Sequence, residues 1–529
     1  MSLTRCAVVM IALNAPVALV AQSSSSAGAP AGGPSTLVGP AHGTVIVVGG
    51  GSMGPEIYAK FIAAAGGPNA LIVDVPTAGG DSVYTQDAPG TRGWKQAGAK
   101  NVYVLHTTDR KLAESDSFAA ILAKAGGVWF EGGRQYHLVD SYAGTKTERG
   151  FHDVLARGGV VGGSSAGASI LGDFLVRGAP SNNNIIMDDP GYEKGFAFLR
   201  GVGIDQHVVA RERLADLADS IIPKYPTLLG ISEDEGTAWV VRGDTATIIG
   251  RNKAFVYGAK GAHDDGKPFL TLYPGDRFNL AERRVTHRAA DDSPVRVAFV
   301  DSLFSKFVQP SAGGATVLVA RDGEVLIDKS YGIPAQPKYM PTTTVPQFAL
   351  GDLSAVFRSL CAQLPEVPVG RRGGAGAAAP QTAATGRGGR GAAGIAGTPF
   401  QTCVSRRIST PVGMHKTTAD SSGQVHSDVD ELYRLALGLE NPRTFAREAT
   451  PGASNGDSQP VDHGAGWDSD TYRGSSRFSA FASPGGKRSA FVRVPGRHAT
   501  VIILTNDDAF DAKQVADTVL DRLLSDQGQ

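Results

Sequence analysis

The chain has 529 residues, more than one ordinary domain accommodates, so two or three domains are expected. Lysine plus arginine and aspartate plus glutamate number 51 each. No charge excess of the whole chain therefore favours nucleic acid or an anionic membrane surface as a partner. With 68 glycines and 7% aromatic residues, the composition is typical of an α/β protein with many glycine turns and some low-complexity sequence.

The N-terminal residues have the pattern of an export signal. A basic start precedes an apolar stretch over residues 6–20 and a small residue, Ala21, and a Ser/Gly/Pro-rich segment follows. We predict a signal peptide over residues 1–21 and a flexible tether over residues 22–43, so the protein is expected to be secreted or periplasmic. A disordered leader is the alternative. No other stretch of the sequence is apolar enough to span a bilayer.

From residue 44 onward, short runs of β-branched residues alternate with helical patterns. Strands separated by helices predict an α/β domain, here over residues 44–290, with a doubly wound, mostly parallel sheet. Ligand sites in such sheets lie beyond the carboxyl ends of the strands. The predicted strands are 45–48, 70–75, 101–105, 128–130 and 160–162, and the predicted helices are 56–65 and 115–125.

The first predicted strand runs into a glycine-rich turn, Gly49-Gly50-Gly51-Ser52-Met53-Gly54, which satisfies the dinucleotide fingerprint G-x-G-x-x-G. Asp74 lies twenty residues beyond it, where the fingerprint has its ribose-binding acid. An NAD-dependent oxidoreductase is therefore the alternative from another class of protein. Asp74, however, runs straight into Val75-Pro76-Thr77 instead of an open ribose pocket. A glycine turn that simply packs tightly is the favoured interpretation.

The last predicted strand leads into Gly163-x-Ser165-x-Gly167, and a helical stretch follows. Small flanking residues tolerate strained dihedral angles, so this elbow can expose the Ser165 hydroxyl as a nucleophile. The N-terminus of the following helix supplies N–H groups for an oxyanion. Another strand runs into Gly132-Gly133, a turn that can also aim N–H groups at a carbonyl. A nucleophilic serine further needs a base and an orienting acid.

These motifs together resemble the cyanophycinase family of serine peptidases, relatives of the aspartyl dipeptidases. The resemblance covers about residues 44–257 and rests on four motifs in the family's order. They are present as Gly132-Gly133-Arg134-Gln135, Ser165-Ala166-Gly167-Ala168, Asp205-Gln206-His207 with Arg211 and Arg213, and Glu235-Gly236-Thr237-Ala238.

The resemblance implies a sheet similar to that of class I glutamine amidotransferases and a serine-peptidase mechanism. Ser165 is then the nucleophile, His207 the general base and acid, and Glu235 the orienting carboxylate. No metal or organic cofactor is implied. The remaining roles carried over are the oxyanion-hole N–H groups of Gly133 and Ala166 and the groove-lining residues Gln135, Asp205, Gln206, Arg211 and Arg213.

The implied reaction is hydrolysis of cyanophycin, multi-L-arginyl-poly-L-aspartate, to β-Asp-Arg dipeptides through an acyl-enzyme on Ser165. Arg211 and Arg213 suit a substrate that bears carboxylates. A further arginine of many family members is replaced by Asp216, so an Asp- or isoAsp-specific peptidase of the same family is the alternative. A non-catalytic binding protein is an alternative of another class. The expected partner is a peptide or polymer with Asp and Arg content and not a nucleic acid. A homodimer is one possible oligomeric state.

Residues 300–527 resemble the β-lactamase and penicillin-binding-protein-like serine hydrolases, which implies a second, α+β domain. The resemblance rests on a hairpin over residues 315–327 and on a closing hairpin over 490–506 followed by a helix. The Gly-Ser-x-x-Lys motif of those enzymes corresponds to Leu350-Gly351-Asp352-Leu353-Ser354-Ala355. Because Asp352 and Ala355 replace the serine and the lysine, we predict a catalytically inactive domain.

A tract rich in arginine, glycine and alanine interrupts this second domain over residues 370–398. It has too few apolar residues to pack, so we predict a low-complexity loop. Cys361 and Cys403 flank the tract and are a candidate disulfide in an exported protein.

Overall fold

A computed structural model describes residues 37–181, 185–259, 267–308, 314–332, 347–364, 399–441, 444–445, 466–482 and 489–525. The predicted signal peptide, the predicted tether before residue 37 and the low-complexity loop 370–398 lie outside the described residues. None of the described helices has the length and apolarity that a bilayer crossing requires. We call residues 37–288 the N-terminal module and residues 289–525 the C-terminal module.

The N-terminal module alternates strands and helices from its start, as its sequence pattern predicts. Its described strands are β1 (Thr44–Val48), β2 (Leu71–Val75), β3 (Asn101–Val104), β4 (Ala125–Phe130), β5 (Val160–Ser164), β6 (Gly172–Phe174), β7 (Leu199–Gln206), β8 (Leu229–Glu233), β9 (Thr237–Arg242), β10 (Thr245–Gly250), β11 (Ala254–Tyr257), β12 (Leu270–Leu272), β13 (Arg277–Asn279) and β14 (Arg284–His287). Its described α-helices are α1 (Pro55–Ala64), α2 (Pro89–Gln96), α3 (Arg110–Ala113), α4 (Asp116–Ala119), α5 (Gln135–Tyr142), α6 (Lys146–Ala156), α7 (Ala166–Ser169) and α8 (Leu214–Asp216).

The central sheet of the N-terminal module has nine strands in the order β14-β13-β10-β9-β1-β5-β4-β2-β3. β1, β5, β4, β2 and β3 pair in parallel, and β9 joins β1 in antiparallel orientation. Along β1, Val45 and Val47 belong to one buried core while Ile46 and Val48 belong to the core on the other face. Both faces are therefore covered, as in doubly wound sheets, and the predicted α/β fold class is confirmed.

A second sheet of the N-terminal module has five strands in the order β12-β11-β8-β7-β6, and its strands β6, β7 and β8 are parallel. The chain leaves β5, β7 and β8 just before Ser165, His207 and Glu235, respectively. All three residues thus follow the carboxyl ends of parallel strands, which is where ligand sites form in open α/β sheets.

Two boundaries differ from the sequence prediction. Residues 37–43, which the prediction assigns to the tether, are part of the N-terminal module, since the backbone N–H groups of Val38 and Gly39 donate to Asp244 Oδ1 at 2.7 and 3.2 Å. The predicted helix over residues 115–125 is α4 followed by a 3-10 turn, Ala120–Lys124. β4 begins at the next residue, Ala125.

The C-terminal module has an antiparallel sheet between two helical layers. Its described strands are β15 (Ala315–Arg321), β16 (Glu324–Tyr331), β17 (Phe348–Ala349), β18 (Thr418–Ala419), β19 (Val425–Ser427), β20 (Asp468–Tyr472), β21 (Ser475–Phe481), β22 (Ala490–Val494) and β23 (Ala499–Thr505). Its described α-helices are α9 (Val297–Leu303), α10 (Ser354–Gln363), α11 (Pro399–Thr402), α12 (Thr410–Val412), α13 (Val429–Glu440) and α14 (Ala512–Leu523).

Six of these strands form one sheet in the order β16-β15-β23-β22-β21-β20, and three form a small sheet, β17-β19-β18. Ile502 and Leu504 on β23 pack in the core with α10 and α13, whereas Val501 and Ile503 pack in the core with α14. Residues 289–307 contribute to this second core, so the module begins earlier than the predicted residue 300. The predicted α+β class is confirmed, and both predicted hairpins are present.

The start of α10 is the place where the resemblance puts a serine nucleophile. Asp352 and Ala355 stand there, and the neighbouring Ser354 is buried with its hydroxyl accepting a hydrogen bond from the Val425 N–H at 3.0 Å. A disulfide joins Cys361 of α10 to Cys403. This part of the molecule thus has the predicted α+β architecture, but it has no serine in the position that the Gly-Ser-x-x-Lys motif requires.

We predict that the C-terminal module is destabilised by an ionised Asp428 at alkaline pH. Asp428 caps α13 by accepting from the Glu431 N–H at 2.9 Å, and its burial next to Glu431 and Asp430 raises its pKa to about 7. Because this folded-state pKa lies above the ordinary value of 3.8, stability falls as pH rises from about 4 to about 7. Asp428→Asn keeps a cap and removes the ionisation, so its gain in free energy of unfolding should be larger at pH 8 than at pH 5, on the order of 2 kcal/mol.

Thermal unfolding at the two pH values measures this difference. The matched control is Asp511→Asn, at the exposed cap of α14, where the side chain accepts from the Gln514 N–H at 3.0 Å. Its effect on Tm should be the same at both pH values because the carboxyl is open to water. An equal effect of Asp428→Asn at pH 5 and pH 8 would contradict the prediction.

Candidate active site

The turn that carries Ser165 is held in a strained conformation. Ser165 has φ +57° and ψ −117°, a region that residues with a side chain occupy at a cost of about 1–3 kcal/mol. Gly163 and Gly167 allow the turn, because a Cβ on Gly163 would lie 2.1 Å from the Gly167 carbonyl oxygen. The Ser165 N–H donates to the Val48 carbonyl at 3.0 Å, which ties the turn to β1. The hydroxyl is thereby held at the carboxyl end of β5 by a rigid turn.

Three side chains form a continuous hydrogen-bonded row. Ser165 Oγ lies 2.8 Å from His207 Nε2, and His207 Nδ1 lies 2.6 Å from Glu235 Oε1. With Nδ1–H donating to the carboxylate, Nε2 accepts from the serine hydroxyl and can take its proton. Both distances are within the reach of general acid–base catalysis. The arrangement can therefore activate a serine for attack on a carbonyl carbon.

The glycine-rich turn after β1 makes room for this row. A Cβ on Gly50 would lie 2.1 Å from His207 Cε1, and one on Gly51 would lie 2.6 Å from Glu235 Oε2. The His207 N–H also donates to the Gly49 carbonyl at 3.0 Å. The space that a dinucleotide pyrophosphate would occupy at such a turn is thus filled by the imidazole and the carboxylate. Asp74, the proposed ribose acid, is fully buried, so the turn is a packing motif.

Glu235 stays ionised through its partners. Burial alone would raise the pKa of Glu235, but hydrogen bonds from His207 and from His415 outweigh it and hold the pKa well below its usual value. His415 belongs to the C-terminal module, and its Nε2 lies 2.9 Å from Glu235 Oε2. An ionised Glu235 fixes the His207 tautomer and stabilises the imidazolium that forms during proton transfer.

A second glycine turn lies against the nucleophile from the other side. A Cβ on Gly132 would lie 3.3 Å from Ser165 Cβ. Gly133 has φ +145°, and a Cβ there would lie 2.1 Å from the Ala78 carbonyl oxygen, so only glycine fits. Gly133 and Ala166, from which we expect the oxyanion-hole N–H groups, are therefore on the two segments that flank Ser165.

Three of the predicted groove-lining residues are buried in the protein, which corrects the prediction. Gln135 is buried, with its amide donating to the Val176 carbonyl at 2.8 Å. Gln206 is buried, and its amide donates to Ser169 Oγ at 3.3 Å. Asp205 is fully buried and accepts from the Arg177 Nε and Nη2 groups, both at 3.1 Å.

Arg177 is a residue that the sequence reasoning missed. Its guanidinium bridges Asp205 and Asp216. Asp216, which stands in place of a family arginine, is thus one half of an ion pair with a cation from another part of the chain. No sequence signal linked Arg177 to either aspartate, because it lies in the loop between β6 and β7 and neither aspartate does.

Arg211 and Arg213, the two arginines expected to bind substrate, differ in exposure. Arg211 is exposed and Arg213 is half-buried. Burial, together with the nearby Arg177, lowers the pKa of Arg213 to about 10. Within the described part of the chain the Arg213 guanidinium has no hydrogen-bonding or ion-pairing partner. It is therefore a cation with free donors that suits a carboxylate ligand.

Comparisons with known proteins find a family match in the N-terminal module. The model of peptidase family S51 matches residues 45–249. The cyanophycinase of Synechococcus elongatus is 30% identical over 271 residues, which cover 46% of this chain and 82% of that protein. The cyanophycinase of Geminocystis herdmanii is 29% identical over 267 residues, which cover 46% of this chain and 95% of that protein.

Solved structures show weaker likenesses to parts of this chain. A peptidase from an acI-B1 actinobacterium is 22% identical with a TM-score of 0.36, covering 45% of this chain and 97% of its own. A β-lactamase/D-alanine carboxypeptidase from Pseudomonas syringae is 12% identical with a TM-score of 0.28, covering 44% of this chain and 99% of its own.

We predict that Gly50→Ala abolishes reaction of Ser165 with a fluorophosphonate, because the added methyl would displace the His207 imidazole. The matched control is Gly67→Ala, since Gly67 has nearly the same backbone angle, φ +97° against +96°, and nothing within 4 Å of an added Cβ. Both substitutions should lower the free energy of unfolding by at least about 1 kcal/mol through the positive φ, and Gly50→Ala should lower it further because of the clash with His207. Labelling rates and Tm of the two variants check the prediction, and equal labelling rates would contradict it.

Proposed function

We propose that this chain, which belongs to peptidase family S51, hydrolyses a peptide bond through an acyl-enzyme on Ser165. The observation that carries the proposal is the row Ser165–His207–Glu235, with hydrogen-bond distances of 2.8 and 2.6 Å at the strand ends. The strained serine turn and the ionised Glu235 support it, because both serve an activated nucleophile.

The proposed reaction has two halves. Ser165 Oγ attacks the scissile carbonyl carbon while its proton moves to His207 Nε2, and the oxyanion accepts from the N–H groups of Gly133 and Ala166. The C–N bond then breaks, and the leaving amine takes the proton from His207. In the second half a water molecule attacks the ester carbon and loses a proton to His207. The bond between that carbon and Ser165 Oγ then breaks, His207 returns the proton to Oγ, and the carboxylate product leaves.

The substrate we propose is cyanophycin, cleaved to β-Asp-Arg dipeptides. Support comes from the similarity to cyanophycinases and from Arg213, a half-buried cation that suits a substrate carboxylate. Asp216 points to the alternative, an Asp- or isoAsp-specific peptidase, because it adds a negative charge paired with Arg177 where many family members have an arginine. We also propose export, from the sequence of the first 21 residues.

Incubation of the chain from Gln22 onward with cyanophycin tests the proposal. We expect the parent protein to release β-Asp-Arg dipeptide and Ser165→Ala to release none. Release by both proteins would refute Ser165 as the nucleophile. If neither protein releases dipeptide but the parent cleaves isoAsp peptides in a Ser165-dependent manner, the alternative substrate is correct. Substrate binding without any turnover would favour a binding protein.

We predict that Arg213→Gln raises KM for the cleaved substrate about 10- to 100-fold, because a charge-assisted hydrogen bond to the substrate carboxylate is lost. The rate of labelling by a neutral fluorophosphonate should stay unchanged. The control is Arg149→Gln, an exposed arginine of α6 that pairs with Glu114. An unchanged KM in Arg213→Gln would exclude this residue from carboxylate binding.

A further inference from the structure

The carboxylate of Glu235 is held at both of its oxygens by histidines from different modules. Oε1 lies 2.6 Å from His207 Nδ1, and Oε2 lies 2.9 Å from His415 Nε2. His415 follows the Gly413 turn, which ends α12 in a left-handed conformation, φ +74°. Its side chain is 37% exposed. The two contacts fix the carboxylate plane relative to the His207 ring.

The backbone around Glu235 is held by the same module. Arg434 on α13 lies 3.6 Å from the carboxylate of Asp234, the residue before Glu235. The same guanidinium donates to the Gly413 carbonyl at 2.9 Å, two residues before His415. Arg434 is buried, so this link joins the loop of Glu235 to the loop of His415 away from solvent.

A buried cluster of charged side chains fixes how the two modules dock. Lys253 of the N-terminal module lies 2.8 Å from Asp328 and 2.6 Å from Asp430, both in the C-terminal module. Its own carbonyl accepts from the Asp234 N–H at 3.1 Å, so the cluster sits beside the Glu235 loop. Loss of one partner in such a buried pair leaves an uncompensated charge and is strongly destabilising. These buried ion pairs therefore fix the position of His415 relative to Glu235.

We propose that His415 is a positioning residue for Glu235, and that the C-terminal module thereby completes the catalytic site of the peptidase module. The inference rests on the proposed function, since it assigns His415 a role in activating Ser165 through His207. The imidazole N–H of His415 holds the second carboxylate oxygen, which keeps the first aimed at His207. A module with Asp352 in place of the motif's serine would in this way act on the chemistry of its neighbour.

The experiment measures the second-order rate of Ser165 labelling by a fluorophosphonate in the chain from Gln22 onward. We expect His415→Ala to react about tenfold more slowly than the parent, as loss of a hydrogen bond to a charged group predicts. His415→Gln keeps a donor near the Nε2 position and should recover most of the rate. The control His426→Ala removes a histidine of the same module that faces Asp420 and should react like the parent.

Each outcome separates this inference from the proposed function. A parent rate in His415→Ala would overturn the role of His415 and leave the proposed function intact. Equal slowing in His415→Ala and His415→Gln, accompanied by a fall in Tm of both, would also overturn it, because the effect would then be on folding. Absence of Ser165-dependent labelling in the parent would overturn the proposed function and the inference with it.

Discussion

The hydrogen bond between His207 Nδ1 and Glu235 Oε1, 2.6 Å long, is the contact on which the rest of the site depends. It selects the imidazole tautomer whose Nε2 can accept the serine proton. The parallel strands β7 and β8 bring its two partners together at one sheet edge. The turn after β1 requires glycines because the imidazole and the carboxylate occupy the space that a side chain would need. A turn that satisfies a nucleotide fingerprint is thus explained by steric demand from the catalytic groups.

Much of the site could be predicted from the sequence because its residues follow strand ends and occur in the order of the family's motifs along one domain. The Ser165 elbow, for instance, has a local signature of small residues around a strained serine. The groove was predicted less well, because polarity in a sequence does not tell whether a side chain faces solvent. Asp205 reads as a ligand-binding acid, yet Arg177, from a different connection, buries and neutralises it. Asp216, which stands where many family members have an arginine, is the second carboxylate that pairs with Arg177.

The two modules behave as one structural unit around Glu235. Sequence could separate them by their different patterns and could identify the missing serine at Asp352. It could not bring His415 to Glu235, since that contact depends on docking through Lys253 and Arg434, whose partners lie on distant strands and helices. Buried ion pairs of this kind specify geometry more than they add stability.

The most direct test of the account is to locate the covalent adduct that a fluorophosphonate forms on the protein. Tandem mass spectrometry of the digested, labelled chain distinguishes Ser165 from the neighbouring Ser164 and Ser169. The account predicts a single adduct on Ser165 in the parent and none in Ser165→Ala. An adduct on a different residue, or one that persists in Ser165→Ala, would contradict the assignment of Ser165 as the nucleophile.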